Sequence, residues 1–216
     1  MRWCAGQGSG RYSRSLARSL ALLLSAGVLL GGCGLLGKPR TLTAAAAPLT
    51  MSVTSPDFPG NVIPASDTCH GTGQSPSIFW SGAPPDTKSI ALVVDDAAAP
   101  ISPRVYWIVY DISSTTTDLP LGTAPPHSRV AQNSAGKAEY DPPCPVGSPH
   151  SYRFTVYALN TVFGSALPAG SQLLNAWTMI AQHVIARGTY PAHALPAGSA
   201  GTAGTAGTAG AIKYVK

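Results

Sequence analysis

Charged residues are scarce in this chain and unevenly distributed along it. Only 11% of its 216 residues are charged, and the formal net charge is +5. Four of the fourteen basic residues fall within the first 18 positions: Arg2, Arg11, Arg14 and Arg18. Without residues 1–32, ten basic residues remain against nine acidic ones. Because so nearly neutral a chain has no basic patch for a phosphodiester backbone, nucleic-acid binding is excluded.

The signatures of common catalytic sites are also missing. The chain has no Gly-x-Ser-x-Gly elbow, no His-Glu-x-x-His motif and no Cys-x-x-Cys pair. Its five histidines are scattered, and Gly71-Thr72-Gly73 is too short for a phosphate-binding loop. We therefore expect no metal site, no cofactor and no established catalytic activity.

Aromatic residues make up only 7% of the chain, whereas glycine and proline are abundant, with 23 and 20 residues. This composition favours many short strands joined by turns over a helical bundle. The hydrophobic fraction of 44% is enough for a buried core, and the length suits one domain with appendages. The sequence predicts a mostly β domain over residues 51–192.

The N-terminal region has the features of an export signal. The arginines precede an apolar run from Leu20 to Leu30, which is too short to span a membrane. Leu30-Gly31-Gly32-Cys33 resembles the lipobox of bacterial lipoproteins, which implies a signal peptide over 1–32 and lipidation of Cys33. Residues 33–50 would then tether the protein to the outer face of the plasma membrane. The alternative is ordinary secretion, with Cys33 inside a discarded signal.

Few cysteines remain for the folded domain. If Cys4 is removed with the signal and Cys33 is lipidated, only Cys69 and Cys144 are left. In an oxidising compartment one disulfide between them is the economical interpretation, and it would close a loop of about 75 residues. Two buried free thiols are the alternative.

Hydrophobic patterning predicts three strands and, after them, one helix. The predicted strands include Ser89–Asp96, a short apolar run bounded by turns, and Val105–Ile112, which is rich in aromatic and β-branched residues. Apolar residues at three- and four-residue intervals predict an amphipathic helix over Ser171–Arg187, ended by Gly188. The repeated Gly-Thr-Ala triplets predict a flexible tail over residues 193–216.

The stretch Tyr140–Leu159 joins a proline-rich loop directly to the third strand. Prolines fix the backbone and remove amide donors, so the loop loses little freedom when it shapes a cavity. Period-two spacing places His150, Tyr152 and Phe154 on one face of the strand. A titratable ring and a phenol where a stiff loop meets a sheet predict the wall of a pocket.

Several segments in order resemble the phosphatidylethanolamine-binding proteins, specifically their bacterial Raf-kinase-inhibitor-like branch. The segments are Thr68–Asp96, the WIVYDI strand from Trp107 with Leu119–Gly122 after it, Asn133–Tyr140 and Pro142–Leu159. The resemblance covers about residues 51–190. It implies a β-sandwich-like fold with one or two peripheral helices, and a small anion pocket near one edge of a sheet.

The resemblance assigns residues to that pocket and shows where this chain departs from the family. His150 and Tyr152 match the family's His and Tyr, and Asp96 matches the first acid of its Asp-Pro-Asp-Ala-Pro motif. Ala98 replaces the second acid, and Tyr106 replaces a histidine. Where the family has glycines before its Pro-Cys-Pro, this chain has Asp141, Pro142 and Pro143, which deletes amides that could bind an anion.

The predicted ligand-binding residues are Asp96, Tyr106, Pro143, His150 and Tyr152. We expect a non-catalytic protein that holds a small anionic or phosphorylated ligand, such as a lipid head group; homodimerisation is left open. The alternative is a purely structural role, in which Asp96 and His150 form a hydrogen-bonded pair that closes a loop and the tyrosines belong to the core. Two other functions remain: a minor hydrolase with His150 as base and Asp96 as orienting acid, or an inhibitor of a protease or kinase.

Overall fold

The computed structural model describes residues 47–98 and 103–198, and the described part of the chain is mostly β. It contains one α-helix and three single 3-10 turns. The predicted signal peptide, Cys33 and most of the tether lie outside the described residues, as does the tail beyond Gly198. The elements, in chain order, are β1 (Ser52–Thr54), β2 (Ile78–Ser81), β3 (Ser89–Asp96), β4 (Val105–Ser113), β5 (Asp118–Leu119), β6 (Arg129–Val130), β7 (His150–Leu159), α1 (Leu173–His183) and β8 (Val184–Ala194).

The strands form two antiparallel sheets. The larger has the order β6-β4-β3-β7-β8, and the smaller has the order β1-β2-β5. In the larger sheet β3 is central, and all of its residues are buried. A strand with both faces covered reads as a continuous apolar run, as Ile90–Val94 does. The predicted fold class, mostly β with a β-sandwich-like arrangement and one peripheral helix, is confirmed.

The core has two parts, one on each face of the larger sheet. Between the sheets, Trp80 and Ile78 from the smaller sheet pack with Leu92, Val94 and Phe154 from the larger one. On the opposite face, helix α1 covers the sheet with the buried side chains of its inner face, Ala176, Trp177 and Ile180. Because successive strand residues point to opposite faces, neighbouring residues of β3 and β7 contribute to different parts of the core.

The prediction of a helix through Arg187 is wrong at its C-terminal end. The helix ends at His183, and the chain continues directly into β8, which pairs with β7 along its length. Gly188 does not end a helix; it lies opposite Val156 in the sheet, where a Cβ would come within 2.4 Å of the carbonyl oxygen of Met51. Val184 and Ile185 are β-branched, and the sheet hydrogen bonds offered by β7 outweigh the local helical period.

The N-terminal end of the described region packs onto β8, and β8 itself runs past the expected end of the domain. The backbone amide of Arg187 donates to the carbonyl of Pro48 (2.9 Å), so the last residues of the expected tether contact the sheet. At its other end β8 extends to Ala194, two residues past the expected domain boundary at 192. Among the described residues, no helix has the length and apolar character needed to cross a membrane.

Candidate functional site

Four of the five predicted ligand-binding residues meet at one end of the larger sheet. Asp96 is the last residue of β3, Tyr106 is the second residue of β4, and His150 begins β7. Asp96 is directly opposite Tyr152 in the β3–β7 ladder. Because β3 is antiparallel to both neighbours, its last residue lies beside the first residues of β4 and β7. The fold therefore brings together side chains up to 56 positions apart in sequence.

Asp96 contacts both the loop that follows β3 and the imidazole of His150. One carboxylate oxygen, Oδ1, accepts a hydrogen bond from the amide of Ala98 (2.8 Å), and the other, Oδ2, lies 3.5 Å from Nδ1 of His150. The side chain of Asp96 is 11% exposed, whereas that of His150 is 39% exposed. Oδ1 of Asp96 therefore makes a structural contact with the backbone, and Oδ2 lies beside an imidazole that is accessible to solvent. A carboxylate beside Nδ1 orients the ring and leaves Nε2 for a ligand.

Tyr106 and Tyr152 form the buried part of the site. Their rings pack edge to face, with centroids 5.2 Å apart. Burial raises the pKa of both phenols; the next contribution is the charge of Asp96 for Tyr106 and the neighbouring Tyr106 for Tyr152. Both hydroxyls therefore stay protonated at neutral pH and can donate hydrogen bonds.

Pro143 has a different position from the other predicted residues. It is buried, and its carbonyl accepts a hydrogen bond from the amide of Cys69 (3.0 Å). In the structure Cys69 and Cys144 form a disulfide, and both are exposed, unlike the buried thiols of the alternative. The imidazole of His70 lies beside them, but the two sulfurs are bonded to each other. Pro143 therefore fixes the proline-rich loop to the segment around Cys69.

Arg104 is a site residue that the sequence did not reveal, and Asp141, which the resemblance placed in the pocket loop, was not among the predicted ligand-binding residues. The Nη2 of Arg104 donates to Oδ2 of Asp141 at 2.6 Å, and its guanidinium lies 5.3 Å from the ring centroid of Tyr106. The hydrogen bond that the guanidinium donates to Asp141 raises the pKa of Arg104, so its charge is permanent. The only local signal was that Arg104 immediately precedes the strand predicted over Val105–Ile112. Its partner comes from a loop 37 residues later, which no periodicity indicates.

Tyr140 is a second residue that the sequence did not identify. Its ring packs edge to face on Trp107, with centroids 5.3 Å apart. Its hydroxyl is buried and has no hydrogen-bond partner within the described ranges. Burial raises the pKa of Tyr140, and the nearby Asp67 and Tyr152 raise it further. The site therefore includes a protonated hydroxyl whose hydrogen-bonding capacity is unused.

The neighbouring carboxylate, Asp95, belongs to a different environment. Because it alternates with Asp96 along β3, it points to the opposite face of the sheet. There its two oxygens accept hydrogen bonds from Nε and Nη2 of Arg153, at 3.0 and 2.5 Å. Burial raises the pKa of Asp95, and the hydrogen bond and charge of Arg153 oppose that rise. We assign this pair a structural role.

A groove of about 450 Å³ lies next to the site but includes none of its residues. It is formed by Val62–Ala65, by Thr68 and His70, and by the chain that follows β8, Leu195–Gly198. It adjoins the site through the sheet, because the amide of Ile63 donates to the carbonyl of His193, one residue before the partner of His150. Its lining is mainly apolar.

The chain is similar to several known proteins along most of the described domain. The family model described as "Phosphatidylethanolamine-binding protein" matches residues 54–194. LppC of Mycobacterium tuberculosis, whose name assigns it to the lipoproteins, is 36% identical over 174 residues, which is 72% of this chain and 84% of LppC.

Solved structures show the same similarity. Escherichia coli YbcL, described as a member of the mammalian PEBP family, has a TM-score of 0.61 and 31% identity; the match covers 68% of this chain and 98% of YbcL. A PEBP homologue of Chlamydia trachomatis has a TM-score of 0.60 and 30% identity, over 67% of this chain and 96% of its own. This chain therefore belongs to the phosphatidylethanolamine-binding protein family.

Proposed function

We propose that this domain is a non-catalytic binding module for a small anionic or phosphorylated ligand, such as a lipid head group. The observation that carries the proposal is the grouping of His150, Tyr106 and Tyr152 around the buried carboxylate of Asp96. An imidazole and two protonated phenols are hydrogen-bond donors, and phosphate oxygens are strong acceptors. Asp96, with Oδ2 3.5 Å from Nδ1, would hold the imidazole in place for the ligand.

Phosphoethanolamine and inorganic phosphate are the probes that test this proposal. Each should stabilise the full chain against heat, because a ligand that binds only the folded state adds about 2.7 kcal/mol at a hundred times its dissociation constant. The Tyr152→Phe variant keeps the buried ring but loses the hydroxyl, and it should bind about five- to tenfold more weakly. Titration calorimetry of both proteins would measure the difference.

Tyr190→Phe is the matched control for that experiment. Its hydroxyl donates to the carbonyl of Phe58 (3.2 Å) on another part of the sheet, so its loss should leave the affinity unchanged. The proposal is rejected if neither probe changes the thermal stability of the wild-type chain at concentrations well above millimolar.

The contact between Asp96 and His150 also favours a second candidate, a minor hydrolase. A carboxylate 3.5 Å from Nδ1 is the arrangement that orients an imidazole base. Against it, no hydroxyl or thiol of the described residues hydrogen-bonds to the ring of His150, so a nucleophile is missing. Unchanged turnover of ester and phosphoester substrates by a His150→Ala variant would eliminate this candidate.

We also propose that the domain is exported and held on the outer face of the plasma membrane by lipid on Cys33. The support is the lipobox-like Leu30-Gly31-Gly32-Cys33 and the similarity to LppC. A Cys33→Ser chain should lose its anchor and move from the detergent phase to the aqueous phase in detergent phase separation, because acyl chains supply about 0.8 kcal/mol per buried methylene. A Cys4→Ser chain is the control and should stay in the detergent phase. Equal partitioning of the Cys33→Ser and wild-type chains would contradict the lipid anchor.

A further inference from the structure

The guanidinium of Arg104 is held beside the site by two contacts. Its Nη2 donates to the Asp141 carboxylate at 2.6 Å, and its Cζ lies over the ring of Tyr106, 5.3 Å from the ring centroid. Tyr106 in turn packs on Tyr152, so Arg104 borders the proposed ligand site. A guanidinium is planar and offers several donors in a fixed fork, which suits carboxylate and phosphate oxygens.

The backbone fixes both members of this pair to the strands of the site. The carbonyl of Arg104 accepts from the amide of Asp96 (2.9 Å), and the amide of Asp141 donates to the carbonyl of Tyr106 (3.0 Å). Pro142 and Pro143 follow Asp141 and stiffen the loop. The Asp141 carboxylate therefore stays close to Arg104 without a bound ligand.

The Asp141 carboxylate occupies a donor that an incoming anion could use. The side chains of Arg104 and Asp141 are 51% and 28% exposed. Water and salt therefore screen the pair, and breaking it costs little free energy. A phosphate carries more charge and more acceptor oxygens than a carboxylate, so it can replace Asp141 at the guanidinium. Removing Asp141 would also remove a negative charge that repels the anion.

We propose that Asp141 is an internal competitor for Arg104, and that a phosphorylated ligand binds by displacing the Asp141 carboxylate from the guanidinium. This inference rests on the proposed function, since it concerns the same site. It makes Arg104 a ligand-binding residue and Asp141 the residue that sets how strongly an anion must bind to enter. Selection against weakly charged anions follows, because they compete poorly with the internal carboxylate.

Inorganic phosphate binding to the full chain tests this competition. Asp141→Asn keeps the shape of the side chain and removes its charge, and it should tighten phosphate binding about fivefold. Arg104→Gln should weaken phosphate binding about tenfold in the wild-type background. In the double variant the gain from Asp141→Asn should disappear, because the residue it competes for is gone.

Glu139→Gln is the matched control, because it removes one negative charge from the same loop. Glu139 lies 3.3 Å from Lys137, and its side chain is 61% exposed. It does not contact Arg104, so its loss should change phosphate affinity less than twofold at physiological salt. An equal gain from Glu139→Gln and Asp141→Asn would show a general charge effect and overturn the competition.

The outcomes separate this inference from the function on which it rests. If the wild-type chain binds phosphate and Asp141→Asn binds it no more tightly, the competition is overturned while the proposed function stands. If neither protein binds phosphate, the competition is overturned, and the proposed function falls with it only if phosphoethanolamine also fails to stabilise the wild-type chain. Binding by Asp141→Asn alone supports both. If Asp141→Asn does not fold, Arg104→Gln decides, and an unchanged phosphate affinity in that variant overturns the inference.

Discussion

Replacing both Cys69 and Cys144 with serine should lower the free energy of unfolding by about 3 to 4 kcal/mol. The two cysteines are 75 positions apart, so their bond removes much of the conformational freedom of the unfolded chain. The bond also supports the hydrogen bond from the amide of Cys69 to the carbonyl of Pro143. Urea denaturation of the variant and wild-type chains would measure the loss.

Chemical reduction supplies the control for this prediction. Reducing the wild-type chain should cause the same loss, whereas the double variant should not respond to the reductant. The denaturant dependence should also become steeper, because an unfolded chain without the cross-link exposes more surface. Two thiols that can be alkylated in the native wild-type chain, together with an unchanged stability of the variant, would contradict the prediction.

The sequence predicted the part of the site that lies within one strand. His150 and Tyr152 are two residues apart, so the period of a strand places them on the same face without any knowledge of the tertiary structure. Asp96 and Tyr106 depend on strand pairing across the sheet, and the sequence reached them through the family resemblance. The structure then brings these four residues to one sheet end.

Arg104, Tyr140 and Asp141 were missed because their roles depend on a loop folding back onto β4. The hydrogen bond from the amide of Asp141 to the carbonyl of Tyr106 sets that arrangement. The local pattern of apolar and polar residues does not indicate this contact. The wrong helix end has a related cause. Residues after His183 keep an apolar spacing that suits a helix, but β7 offers a long strand with which they pair.

The departures from the family pattern together change the charge balance of the site. Ala98 lacks the carboxylate that the family has at this position, but its backbone amide donates a hydrogen bond to Asp96. Tyr106 brings a neutral donor to a position where the family has a histidine. Asp141 brings a carboxylate into a loop where the family has glycines, and Arg104 neutralises it. A site with one paired arginine and one accessible histidine is suited to a ligand that competes strongly for donors, which agrees with a phosphorylated group.

Phe154→Ala should cost about 3 to 5 kcal/mol of the free energy of unfolding, which is a large share of the stability of a domain. Phe154 is fully buried in β7, between Val94 of β3 and Tyr190 of β8. Its ring packs on that of Phe58, with centroids 5.5 Å apart. Truncation removes buried apolar surface and leaves a cavity that strands paired on both sides cannot close.

Phe79→Ala is the matched control, because it makes the same chemical change at a position 44% exposed on the outer face of β2. It should cost about 1 kcal/mol or less, since nearly half of its surface already contacts solvent and its removal leaves no closed cavity. Phe154→Leu should fall between the two, because leucine refills part of the volume. Chemical denaturation of the three variants would establish the order. Equal losses for Phe154→Ala and Phe79→Ala would mean that the space between the two sheets is not the main source of stability, and the fold would then depend chiefly on the layer beneath α1.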